Sequence, residues 1–119
     1  MPRNEPQAIN PDALPEVVTR YLTAHRARDT ATAITAFTDN ATVTDDGETH
    51  EGAASIEHWL SRTATEFTFT TQLIGAHRTD ASHYTATQHL EGDFPGGTVD
   101  LHYRFTLRDN LVERLVIEP

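Results

Sequence analysis

The hydrophobic period of this chain changes once, at Phe67, and does not change back. Before that point apolar residues recur three or four positions apart, as on one face of a helix; after it they alternate, as on a strand. A chain patterned this way must place its helices first and a sheet after them. Residues 67–78, 82–94, 97–108 and 111–118 read as long strands, joined at Asp80-Ala81, Pro95-Gly96 and Asp109-Asn110. Connections that short make sequential strands antiparallel neighbours, so this half is a meander. With Pro95-Gly96 as a two-residue loop, Leu90 faces Leu101, Gln88 faces Tyr103, Ala86 faces Phe105 and Tyr84 faces Leu107. That face is apolar and aromatic, while the opposite one sets His89 against His102 and Glu91 against Asp100.

The helical half begins after residues 1–11, a proline-containing stretch of mixed charge expected to be a flexible arm. A first helix is expected from about Asp12, capped by its carboxylate, with Val17, Val18, Tyr21, Leu22 and His25 on one face. Asp29 is suited to cap a short second helix in which Ile34 and Phe37 are buried, and Asp39-Asn40 is expected to end it. Next comes a small hairpin whose Asp46-Gly47 turn tolerates positive backbone angles. Its first strand sets Ala41, Val43 and Asp45 on one face, so an otherwise apolar row ends in a carboxylate. From Gly52 a third helix buries Ile56, Trp59 and Leu60 and leaves Glu57 and Arg62 outside. The expected architecture is α+β, one domain over residues 12–119. Three helices pack on a curved, mostly antiparallel sheet, which closes into a cone with an internal pocket.

Composition narrows the chemistry. The chain has no cysteine, which excludes disulfides, thiolate nucleophiles and cysteine-ligated zinc. Its net charge of −9 argues against nucleic acid and anionic membranes as partners. No apolar run reaches the length of a membrane span and no secretory pattern opens the chain, so a cytoplasmic protein is expected. His89 and His102, with Glu91 and Asp100 beside them, have donor types suited to a divalent ion. The alternation puts them outside the cone, and no metal or other cofactor is expected. Leu115 and Ile117 are expected on the same outer face, where an apolar patch would make a homodimer surface.

The order of elements resembles the nuclear transport factor 2-like superfamily, in the branch of ketosteroid isomerases and SnoaL-like polyketide cyclases. The segments that carry the likeness are Val17 to Tyr21, Asp29, Ala36 to Asp45, Gly52 with Ile56, and Leu101 to Phe105. The resemblance implies catalysis by Asp45 as a general base and Tyr21 as the hydrogen-bond donor to a developing oxyanion. It also puts Leu101 where that family has a protonated aspartic acid, and Leu60 where a supporting tyrosine stands. Trp59, Tyr84, Gln88, Tyr103 and Phe105 are expected to shape the site for a hydrophobic small molecule, with His25 and Arg114 in reach of it. An inward Arg114 would pair with Asp45. The expected activity is isomerisation or cyclisation by proton transfer on a carbonyl compound. The alternatives are a non-catalytic ligand-binding or dimeric domain, and an epoxide hydrolase relying on Arg114.

Overall fold

A computed structural model describes residues 6–66 and 68–119 of the chain. Met1 to Glu5 of the expected arm, and Phe67 itself, lie outside the described residues. Three α-helices, α1 (Glu16–Arg26), α2 (Thr30–Ile34) and α3 (Ala53–Glu66), pack against a seven-stranded mixed sheet. Its strands are β1 (Gln7–Ala8), β2 (Phe37–Asp45), β3 (Glu48–Glu51), β4 (Phe69–Asp80), β5 (His83–Gly92), β6 (Thr98–Arg108) and β7 (Leu111–Glu118). They run in the order β1-β4-β5-β6-β7-β2-β3, and the sheet does not close on itself. Every pairing is antiparallel except β2 with β7, the parallel contact that joins the hairpin to the meander.

Part of the expected arm is structured, because Gln7 and Ala8 add to the edge of the sheet opposite Arg78 and His77. The first helix starts later than Asp12. Pro11–Ala13 forms a 3-10 turn capped by the Asn10 side chain, which accepts from the Asp12 amide, and Pro15 then precedes α1. Proline is well placed there, since its missing N–H would find no helical partner and its φ is already set. Asp29 does cap α2: its carboxylate accepts from the Thr32 amide and hydroxyl. The buried residue of that helix is Ala33, however, and Phe37 belongs to β2. Asp39-Asn40 lies within β2, at the irregularity between Phe37 and Thr42, and does not end a helix.

The hairpin forms as its turn requires, with positive φ at both Asp46 and Gly47 and Asp45 opposite Glu48. In the meander the faces are as expected but the β5–β6 register is not. Gln88 faces Leu101, Ala86 faces Tyr103, Tyr84 faces Phe105, and His89 faces Asp100. The connection is longer than Pro95-Gly96, running from Gly92, which donates to the Gly97 carbonyl. A shift of two residues leaves every side chain on the same face, so alternation alone does not detect it.

A larger correction falls on β7. Between Leu107↔Val112 and Thr106↔Arg114 the strand carries one extra residue, Glu113. This bulge resets the alternation. Val112, Leu115 and Ile117 are buried in the core, whereas Arg114 is exposed. Leu115 and Ile117 therefore form no outer patch, and the apolar basis for a dimer through that face is gone.

Candidate active site

The hairpin and α3 build the centre of the site together. Ala41 and Val43 are buried on the inner face of β2, and Asp45, two positions on, points the same way. There it meets Trp59, whose indole Nε1 donates to Asp45 Oδ2 at 3.1 Å. Trp59 is 1% exposed and stacks on His50, which comes from β3 at a ring separation of 6.0 Å. Burial pushes the Asp45 pKa up, the Trp59 hydrogen bond opposes this, and the Asp46 charge adds to it. The result is a carboxylate kept more basic than usual and fixed in direction by one donor.

Because the fold favours the protonated form of Asp45, it carries a stability penalty that is absent below the ordinary value of 3.8 and fully present above the raised one. Asp45→Asn should therefore raise the urea midpoint at pH 7, since the amide carries no charge and still accepts from Trp59. The gain should vanish as the pH approaches 3.8. Equal or lower stability of the variant at pH 7 would mean that Asp45 is not held in a charge-disfavouring environment.

Next to this carboxylate lie two phenols and an imidazole. Tyr21, on α1, is completely buried, and its hydroxyl has no hydrogen-bond partner. Its ring packs edge-on to Phe37 and Phe105 and lies 5.7 Å from His25. Tyr103, on β6, is also buried. Burial pushes both phenols well above their ordinary pKa; the Asp45 charge adds to this in each case, and Tyr103 adds further for Tyr21. Both hydroxyls thus stay protonated and able to donate, within electrostatic reach of the same carboxylate. His25 sits among Tyr21, Tyr103 and Phe69 with its Nδ1 buried and unpartnered. Burial, helped by Arg28, pushes its pKa down to about 4, so the ring is neutral at ordinary pH.

These groups border an open cavity of about 710 Å³ between the helices and the inner face of β5–β7. Asp45, Trp59, Tyr103 and His25 line it, as does Leu101, the residue at the expected third-acid position. Tyr21 is not in the wall; the phenol that faces the cavity is Tyr103. The apolar part of the wall includes Phe69, Leu90, Val99 and Ile117. Phe69 and Val99 are not among the residues expected at the site, although strand alternation carries a signal for both, and Ile117, expected on the outer face, is in the wall instead. Asp46, Glu66 and Glu118 also border the cavity, and among the described residues no arginine does.

Several expected site residues lie elsewhere. Phe105 is buried behind Tyr21 as core, and Tyr84 packs against the core outside the cavity wall. Gln88 is buried but lines a different cleft. Arg114 faces solvent because of the β7 bulge, so it neither reaches Asp45 nor equips an epoxide hydrolase. On the outer face His89 donates through Nδ1 to Asp100 Oδ1 at 2.6 Å and lies 3.3 Å from Glu91 through Nε2, while His102 meets the Thr87 hydroxyl. Among the described residues no group of three or more His, Asp or Glu is placed to hold a metal ion. No helix among them is long and apolar enough to cross a membrane.

No family model matches the chain, and no curated protein matches it either. Solved structures do. A candidate polyketide cyclase from Sinorhizobium meliloti superposes with a TM-score of 0.85 at 27% identity, covering 92% of this chain and 100% of that one. A Catenulispora acidiphila protein of ketosteroid isomerase-like fold, in complex with trimethylamine, gives a TM-score of 0.78 at 21% identity over 90% of this chain and 87% of its own. A Mycobacterium tuberculosis protein in complex with estradiol-17beta-hemisuccinate gives 0.72 at 11% identity over 87% of this chain and 90% of its own. The structural neighbours of this chain are nuclear transport factor 2-like, ketosteroid isomerase-like and polyketide cyclase proteins, and its fold is theirs.

Proposed function

We propose that the chain is an isomerase or cyclase acting by proton transfer on a neutral, hydrophobic carbonyl compound held in the 710 Å³ cavity. The observation that carries this reading is one carboxylate, Asp45, in the cavity wall with its pKa raised and its direction fixed by Trp59. Asp45 removes a proton from the carbon beside the carbonyl, and the electron pair moves onto the carbonyl oxygen as an enolate. Tyr103 in the wall donates to that oxygen, and the buried, unpartnered hydroxyl of Tyr21, within electrostatic reach of Tyr103, supports it from behind. Asp45 then returns the proton at a second position, or the enolate carbon attacks a second carbonyl carbon of the same molecule, whose oxygen takes the electron pair of the broken C=O π bond and then the proton from Asp45. No cofactor enters these steps. A border with Asp46, Glu66 and Glu118, and with no arginine among the described residues, disfavours anionic substrates, while the aromatic and aliphatic wall suits an apolar body. The cyclase named among the neighbours, and the steroid body of the ester bound by another, agree with a substrate that is largely apolar.

A fluorescent planar phenol, used as an enolate mimic, tests the assignment. Asp45→Asn imitates the protonated base and should bind the phenol more tightly than wild type. Tyr103→Phe should weaken binding by about tenfold or more, the worth of a buried hydrogen bond to a charged oxygen, and Tyr21→Phe by less, since Tyr21 acts through Tyr103. Binding that is blind to all these changes would sink the proton-transfer site and leave a non-catalytic domain of this fold as the reading.

A further inference from the structure

A second cleft, of about 320 Å³, lies between α1 and the sheet and shares no lining residue with the cavity that holds Asp45. Its floor is the inner face of β4 and β5, where Thr71 and Leu73 pair with Leu90 and Gln88. Its other wall is α1, with Leu22 and Arg26 one turn apart, and Asp12 closes one end. Gln88 is 3% exposed; its amide approaches the Tyr103 hydroxyl, but its Nε2 makes no hydrogen bond of good geometry, and the buried Thr71 Oγ1 has no partner either. A buried donor left unmade costs the fold free energy that folding does not return. Two such donors on adjacent strands, facing one cleft, are explained by something in the cleft that accepts from both.

We infer that this cleft binds a small neutral molecule through a carbonyl oxygen, which accepts from the Gln88 amide and the Thr71 hydroxyl. The size sits at the low end for ligand pockets, which fits a compound with a single ring. Leu14, Leu22 and Leu73 supply apolar contact for that ring. Neutrality follows from the charges at the border, because Arg26 and Asp12 offset each other and favour neither an anion nor a cation. The cleft shares no lining residue with the proton-transfer cavity, although Gln88 approaches Tyr103 between them, and the inference does not depend on the function proposed for that cavity.

Benzamide, as a neutral carbonyl probe, should be titrated into the isotopically labelled full chain while the side-chain amide of Gln88 is followed by NMR. Ethylbenzene, with no acceptor, and benzoate, with a charge, serve as comparisons. Saturable shifts at the Gln88 side chain and the Thr71 backbone amide are expected with benzamide, with the Trp59 indole signal unmoved. Affinity should fall about tenfold or more in Gln88→Leu, and also in Thr71→Val, which guards against a folding defect in either variant alone. Shifts centred on Trp59, equal binding of benzamide and ethylbenzene, unchanged affinity in both variants, or the absence of saturation would each overturn the inference. Absence of saturation would mean that water alone meets the two donors.

Discussion

Trp59→Ala is expected to destabilise the protein by about 3–5 kcal/mol, the range for deleting a fully buried large aromatic side chain. Trp59 is 1% exposed and belongs to the core cluster while also forming part of the cavity wall. The substitution enlarges an existing cavity, so the loss is both of apolar burial and of contacts that nothing nearby can replace. Urea denaturation followed by circular dichroism measures it, since Trp59 is the chain's one tryptophan and its fluorescence disappears with it. Trp59→Phe separates packing from chemistry. It keeps most of the ring but removes the N–H that reaches Asp45 at 3.1 Å, so the carboxyl pKa should rise further while the fold loses less. A cost below about 1 kcal/mol for Trp59→Ala would mean that the helix α3 side of the cavity collapses freely and is no fixed wall.

Acid should weaken the protein through His25. Its pKa falls from an ordinary 6.5 to about 4 in the fold, so the folded state prefers the neutral ring. For a base depressed in this way, the stabilising contribution is full above pH 6.5 and is lost as pH falls toward 4, because the unfolded chain takes up the proton first. The difference amounts to about 3 kcal/mol at most. His25→Leu has no proton to bind, so its stability relative to wild type should improve by about that amount between pH 7 and pH 4. The wild-type-minus-variant difference in unfolding free energy at each pH is the quantity to measure. A difference independent of pH would show that the ring is solvated enough to titrate as it does in the unfolded chain. The direction is opposite to that of Asp45, whose penalty is relieved by acid, so the two variants bracket the electrostatics of one cavity.

What could be read from the sequence and what could not divides by the range of the interaction. Local chemistry was legible. Asp46-Gly47 specified a tight turn, and that turn fixed the hairpin register and with it the inward direction of Asp45. Helical spacing placed Ile56, Trp59 and Leu60 in the core, and Asp29 capped α2 through a contact only three residues long. The β5–β6 register was missed by two residues because side-chain alternation repeats every two, and the Gly92 to Gly97 connection is longer than its Pro95-Gly96 tip suggests. The reading of Arg114, Leu115 and Ile117 failed for a related reason. One bulged residue, Glu113, reverses the faces of everything after it, and nothing in an apolar strand announces a bulge.

The sequence by itself determined that a helical half with one hairpin precedes a four-strand meander, that the meander has an apolar inner face, and that Asp45 ends a buried row. These follow from periodicity and turn chemistry, which act over a few residues. Only the tertiary structure decided which partners Asp45 has, that Tyr103 lines the cavity while Tyr21 stands behind it, and that Gln88 opens into a separate cleft. Each of these depends on where α1 and α3 settle on the curved sheet and on the parallel pairing of β2 with the distant β7. Such packing is set by the fit of many side chains at once, and no local pattern encodes it.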